Sequence, residues 1–241
     1  MSDGTVLTLD LGSSATKAGL WSGCRLAAFT RVPIATAHPE AGWAEQDPSR
    51  WWSSVVDACA QARAVAPDAY AAVRALGFAA ARESFVLVDN ALTPLGAGIL
   101  WSDQRAGSEA EELGDPGEFR ARTGVVLNAA THAAKLLWVR EHRADQFEAA
   151  RWVLAPRDLV VARLTGEVVT DPSLASRTGW FAIDGGGWTS VGLDATGLGE
   201  GRYEADLCVR SNDPYRHTLP VHVTFDVGGN DTIFGSGFDA P

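Results

Sequence analysis

The sequence predicts an α/β domain in which a mixed β-sheet is covered by helices. Three observations carry that expectation. The chain opens with three β-compatible runs separated by turn residues, Val6–Leu9, Lys17–Trp21 and Arg25–Arg31. Asp47-Pro48 then starts a helix, with Asp as N-cap and Pro in the first turn. Beyond it, short apolar runs alternate with segments of helical period, the pattern of a sheet packed by helices.

Each element has its own signal. Pro33 to Pro48 is a loop rich in Pro, Gly and charge. The helix after it shows an apolar face through Trp51, Trp52, Val55, Val56, Cys59 and Ala60. Leu76–Ala80 reads as a buried strand, Phe85–Asp89 as its hairpin partner and Ile99–Trp101 as a short further strand. Helical period returns over Ala106–Leu113 and Ala133–Glu141, and again over Ala155–Leu164, where Thr165-Gly166 stops it. Gly185 to Asn212 has no clean period and reads as loop. No repeat or long linker interrupts the chain.

With 241 residues, the default is one α/β domain with embellishments. Hydrophobic residues at 46% and charged ones at 21% are those of a folded protein. The net charge of −10 argues against a nucleic-acid backbone or an anionic membrane as partner. Phosphate binding stays open, because turn amides can hold an anion without many lysines. Cys24, Cys59 and Cys208 are odd in number and far apart, as expected of free thiols in a reducing cytosol. The amino terminus has no signal-peptide pattern and no apolar run reaches membrane-spanning length, so a cytoplasmic protein is expected.

The stretch with most chemistry is Asp10-Leu-Gly-Ser-Ser-Ala-Thr-Lys17, where an apolar strand ends in a carboxylate and a tight turn of small residues follows. Gly12 lets the backbone approach an anion, and the N–H and O–H groups of Ser13, Ser14 and Thr16 can meet phosphate oxygens. Asp10 stands where a hydrated divalent ion could be held, and Lys17 can neutralise phosphate charge. As a bare motif it suits an ordinary hairpin turn equally well. Arg82-Glu83, directly after the Leu76–Ala80 run, are poor core residues but good fixed hydrogen-bond donors and acceptors, or else a surface ion pair. Trp101, as an isolated tryptophan, is expected to pack in the core. Trp51, Trp52, Trp138 and Trp188 are assigned to packing, and Asp103 with Arg105 to a structural pair.

Six stretches in order resemble the FGGY carbohydrate kinases, which share the actin/hexokinase/Hsp70 nucleotide-binding fold. They are the DLGSSATK hairpin, Gly42-Trp-Ala-Glu-Gln-Asp-Pro48 with Trp51-Trp52, and Ile99-Leu-Trp-Ser-Asp-Gln-Arg105. Lys135-Leu-Leu-Trp-Val-Arg-Glu-His142 follows, then Leu164-Thr-Gly-Glu167 with Thr170-Asp171, Ser173 and Ala175-Ser176, and last Gly228-Gly-Asn-Asp231-Thr-Ile-Phe-Gly-Ser-Gly237. An actin- or Hsp70-like ATPase would have no use for the LTGE and Lys135–His142 stretches.

The resemblance implies a ribonuclease H-like domain with a mixed five-stranded sheet flanked by helices. It also implies ATP-dependent phosphorylation of a small sugar or polyol, xylulokinase- or glycerol kinase-like, with Mg2+. Asp231 matches the family's general base, although Asn-Asp after Gly-Gly would also cap a helix. Asp10 matches its metal-side carboxylate, acting mostly through water. Arg82, Glu83, Trp101 and Thr232 fall at substrate positions, and Gly12, Ser13, Ser14, Thr16 and Lys17 at phosphate positions.

Some residues depart from the family. Ala130 stands where glycerol-type members have Tyr, Thr232 where they have Gln, and Arg82-Glu83 where the pentulose branch has Met-His; His132 replaces a small hydroxyl residue or Pro. Residues 1–241 are expected to form the amino-terminal, sugar-binding domain, with no counterpart of the carboxy-terminal ATP-binding domain. Such a chain is expected to need a separate carboxy-terminal half for activity. The alternative is a catalytically inactive pseudokinase that binds sugar or a partner.

Overall fold

Alternation along the first strand sets the architecture. In β1 (Thr5–Leu11) Thr5, Leu7, Leu9 and Leu11 are buried, while Val6, Thr8 and Asp10 lie on the other face. The computed structural model describes residues 4–183 and the backbone of two later strands. After β1 come β2 (Ala15–Ser22), β3 (Arg25–Pro33), β4 (Glu45–Gln46), α1 (Pro48–Val65), α2 (Pro67–Ala71), β5 (Val73–Ala80), β6 (Val86–Val88) and β7 (Gly98–Ile99). There follow α3 (Gly107–Glu112), α4 (Pro116–Thr123), α5 (His132–His142), α6 (Ala144–Ala149), β8 (Trp152–Leu154), α7 (Pro156–Thr165), α8 (Pro172–Ala175), β9 (Gly201–Val209) and β10 (Leu219–Val227). No described helix is long and apolar enough to cross a membrane.

The chain divides into two compact units, one of residues 1–103 and 149–167, the other of 104–148 and 168–241. In the first, the main sheet has the order β3-β2-β1-β5, with β1, β2 and β3 antiparallel and β5 parallel to β1. Four strands, not five, form this sheet among the described residues. Helix α1 packs across β2 and β3, closing a core of Leu7, Leu9, Leu11, Ala18, Leu20, Val55, Ala58 and Ala62. Each leucine buried there contributes about 1.5–3 kcal/mol.

Asp47 caps α1 by accepting from the Ser49 N–H at 2.9 Å, and Pro48 supplies the first turn, as the sequence predicts. The buried face of the helix differs from the one expected. Ser54, Ala58 and Ala62 face inward and Val56 is exposed, because small residues let the helix lie close to the sheet. Gly166 ends α7 with φ 77°, the left-handed C-cap that Thr165-Gly166 announces.

Three further expectations need correction. Leu76–Ala80 is not buried: β5 is an edge strand, so Leu76 is exposed and Phe78 half-buried. The Phe85–Asp89 run does not pair with it. Val86–Val88 pairs antiparallel with β8, and Phe85 bridges Ile99. Within Gly185–Asn212, read as loop, Gly201–Val209 forms a strand antiparallel to Leu219–Val227.

In the second unit α5 buries every residue from His132 to Val139, with His132 edge-on to Trp180 at 5.4 Å. Trp138 packs as expected, stacked on His142 at 4.7 Å, with the Arg105 guanidinium 4.8 Å from its ring.

Candidate functional site

β1 and β5 run parallel, so their carboxyl ends lie side by side. Asp10 is level with Ala79 and Leu11 with Ala80, and the Ala81 N–H donates to the Leu11 carbonyl at 2.9 Å. Two loops therefore leave one edge of the sheet together. One is the Gly12–Ser14 turn of the β1–β2 hairpin, and the other carries Arg82 and Glu83. The ends of parallel strands are where α/β sheets gather ligands.

The hairpin turn is held from beneath. Gln46 is buried, donates from Nε2 to the Ser13 carbonyl at 2.6 Å, and accepts at Oε1 from the Trp51 indole at 2.8 Å. The Ile34 N–H donates to the Ser14 carbonyl at 3.1 Å. In a trans peptide the carbonyl and the next N–H point in opposite directions. Tying down the Ser13 carbonyl therefore turns the Ser14 N–H away from Gln46. Gly12 spends its own N–H on the Ala15 carbonyl at 3.2 Å, and a Cβ there would sit 3.2 Å from the same oxygen. The void beneath the turn measures about 10 Å³, so the support is close-packed.

The charged residues of the hairpin pair with each other. Asp10 and Lys17 are cross-strand neighbours, with Nζ 2.8 Å from Oδ2 and both side chains 40% exposed. A pair this open to water adds little stability. Thr16 departs from its expected role. It is fully buried, and its hydroxyl hydrogen-bonds Ser54 Oγ of α1 at 2.7 Å, so it locks the hairpin to the helix instead of offering a phosphate donor.

On the second loop Arg82 is exposed and Glu83 half-buried, with the Glu83 backbone left-handed at φ 64°. Backbone strain of this kind concentrates at functional sites. Ser84 is buried and its Oγ accepts from the Trp101 N–H at 3.0 Å. Phe85 and Ile99 exchange two backbone bonds, 3.0 and 2.8 Å long. These contacts tie the Trp101 segment to the Arg82–Glu83 turn, and Trp101 is 48% exposed. Asp103, fully buried, accepts from the Ala44 N–H at 2.6 Å and so joins two of the motif segments.

Asp10, Gly12, Ser13, Ser14, Lys17, Arg82, Glu83 and Trp101 thus belong to one unit, the first five on one loop and its flanking strands. Asp231, Thr232 and Trp188 lie outside the described residues. Gln46 and Ser84 carry no sequence signal for their roles as supports. A separate open trough of about 710 Å³ runs along α1, lined by Trp52, Val56, Cys59, Arg63, Tyr70 and Leu164. Burial there raises the Cys59 thiol and the Tyr70 phenol above their usual ranges.

Residues 5–212 match the model of the FGGY family of carbohydrate kinases, N-terminal domain. A xylulose kinase of Klebsiella pneumoniae is 35% identical over 194 residues, which are 79% of this chain and 39% of that protein. A glycerol kinase of Gloeobacter violaceus is 34% identical, over 77% of this chain and 38% of the relative. Among solved structures, one described as a xyloylose kinase from Brucella ovis superposes with a TM-score of 0.76 at 36% identity, over 82% of this chain and 42% of that one. The chain therefore spans about two-fifths of the length of the relatives it matches. With the family's amino-terminal pattern covering residues 5–212 and the matching fold beneath it, this chain belongs to the FGGY family of carbohydrate kinases.

Proposed function

We propose that this chain is the sugar-binding, phosphate-gripping part of an ATP-dependent kinase acting on a small sugar or polyol, a pentulose such as xylulose or a related polyol. One observation carries the reading: the phosphate-type hairpin and the Arg82–Glu83 turn leave the same end of the parallel pair β1 and β5. A transferring phosphoryl group and its acceptor must meet within a few ångströms, and adjacent loops of one sheet edge suit that need. The xylulose and glycerol kinase relatives support the substrate class.

In this reading the sugar lies against Trp101, with Arg82 and Glu83 exchanging hydrogen bonds with its hydroxyls. Asp231 accepts the proton of the attacking hydroxyl as the new oxygen–phosphorus bond forms and the bond to the leaving ADP oxygen breaks. Gly12 leaves room for the phosphates, while Ser13, Ser14 and Lys17 supply donors to their oxygens. Asp10 suits a divalent ion by charge and exposure, its carboxylate being 40% exposed with the Lys17 ammonium on Oδ2. Mg2+ held there through water would neutralise charge on the phosphates. The adenosine contacts belong to a further, carboxy-terminal half, and domain closure would exclude water. Neither nucleic acid nor membrane has a part in this reading.

The test is a thermal-shift and calorimetric screen of the chain against D-xylulose, pentitols and glycerol. The expected result is stabilisation by at least one of them that Arg82→Ala removes. Absence of any shift sinks substrate binding by this part. Supplying the carboxy-terminal half of a related xylulose kinase and following ADP release then tests catalysis. Sugar binding without turnover in that mixture, with Asp231→Asn no slower than the parent, would favour a non-catalytic sugar-binding module.

A further inference from the structure

The hairpin register aligns three charges across the sheet. Asp10 of β1 stands opposite Lys17 of β2, and Lys17 stands opposite Arg31 of β3. Directly opposed residues share a face of the sheet. Burial agrees: Leu9, Leu11, Thr16, Ala18, Thr30 and Val32 all point into the core, which leaves Asp10, Lys17 and Arg31 on the opposite face. Arg31 is exposed, and three residues later Ile34 is bonded to the Ser14 carbonyl of the turn at 3.1 Å. The row therefore lies at the turn end of the hairpin.

Lys17 beside Arg31 is a like-charge cross-strand pair, which costs stability when nothing offsets it. Asp10 offsets the lysine at 2.8 Å. Among the described residues no carboxylate pairs with Arg31. In a chain with 30 acidic and 20 basic residues, an arginine left beside a lysine at the mouth of an anion-type turn is against the average. An anionic ligand would resolve the repulsion, and a guanidinium can offer it two parallel donors.

We propose that Arg31 is a further phosphate-binding residue, forming with Lys17 a cationic step beside the Gly12–Ser14 turn that takes the polyphosphate tail of a nucleotide. This rests on reading the hairpin as a phosphate grip. It extends the grip from the turn onto the third strand.

The probe is inorganic tripolyphosphate, titrated into the chain by calorimetry at low and moderate salt. Arg31→Gln should weaken binding about fivefold, the scale of one charge-assisted contact, and should reduce its salt dependence. Arg31→Lys keeps the charge but loses the two parallel donors, so it should fall between the parent and Arg31→Gln. Arg25→Gln, at the far end of the same strand, should change nothing. If Lys17→Gln weakens binding while Arg31→Gln does not, the hairpin reading stands and the role of Arg31 is overturned. An equal loss in Arg25→Gln would reduce the effect to general charge attraction and also overturn it. A parent chain that binds no tripolyphosphate would defeat both the hairpin reading and this extension.

Discussion

Gln46 donates to the Ser13 carbonyl at 2.6 Å and accepts the Trp51 indole N–H at 2.8 Å, joining the hairpin turn to the start of α1 through one side chain. The amide is 3% exposed and also donates to Thr36 Oγ1 at 3.2 Å. The turn's shape is thus set from the protein interior, and its outward groups are free of that task.

Gln46→Leu should strand the Ser13 carbonyl and the Trp51 indole, at a cost of about 2–4 kcal/mol. Gln46→Glu keeps an acceptor for Trp51 but sets a carboxylate against the Ser13 carbonyl, so it too should melt well below the parent. Chemical denaturation of the three proteins measures both. A Gln46→Leu protein as stable as the parent would mean that the turn holds its shape without this support.

Thr16 separates stability from ligand binding. Its hydroxyl meets Ser54 Oγ at 2.7 Å, while Ser54 donates onward to the Trp51 carbonyl at 3.2 Å. Ser54 keeps that donation in Thr16→Val, so the loss should be only about 1 kcal/mol. Tripolyphosphate affinity should be unchanged in Thr16→Val and reduced in Ser14→Ala. A weaker affinity in Thr16→Val without a stability loss would restore Thr16 to the phosphate site.

What was legible in the sequence was local. The three opening strands, the Asp47-Pro48 helix start and the Gly166 stop each follow from residues a few positions apart. Partner choice was not legible: Val86–Val88 lies close to β5 in sequence yet pairs with β8, because topology selects partners over distances that no local pattern encodes. Thr16 could have been read from parity. Its register partner is Leu11, so it shares the inward face of that leucine, whereas Lys17 shares the face of Asp10. Gln46 had no such signal, since a glutamine at a loop end has the same composition whether exposed or clamped.

Glu83 holds a left-handed backbone at φ 64°, a conformation that costs a residue with a side chain roughly 1–2 kcal/mol relative to glycine. Glu83→Gly and Glu83→Ala both remove the carboxylate, but only the first relieves the backbone. Glu83→Gly should therefore be about 1 kcal/mol more stable than Glu83→Ala, and both should lose the sugar-dependent thermal shift. Equal stability of the two would show that the turn relaxes without a left-handed residue.

His132 gives the second unit an acid-labile point. Its ring is buried, and burial first, then the nearby Lys135 charge, pushes its pKa down to about 3 from the ordinary value of about 6.5. Above the ordinary value both the folded and unfolded states carry a neutral ring, so stability does not depend on it. Between about 6.5 and about 3 the unfolded chain binds a proton that the folded chain refuses. Stability must therefore fall as the pH falls through that window, by up to about 1.4 kcal/mol per pH unit, and level off once the folded ring also protonates. His132→Asn removes the group that titrates and should flatten the slope, whatever its own packing cost against Trp180. His142, 3.8 Å from Glu109, is present in both proteins and cancels in their difference. Denaturant midpoints measured from about pH 7 to about pH 5 should diverge, with the parent losing stability faster on acidification. Parallel curves would show that the unfolded chain gains no proton at this position that the folded chain lacks.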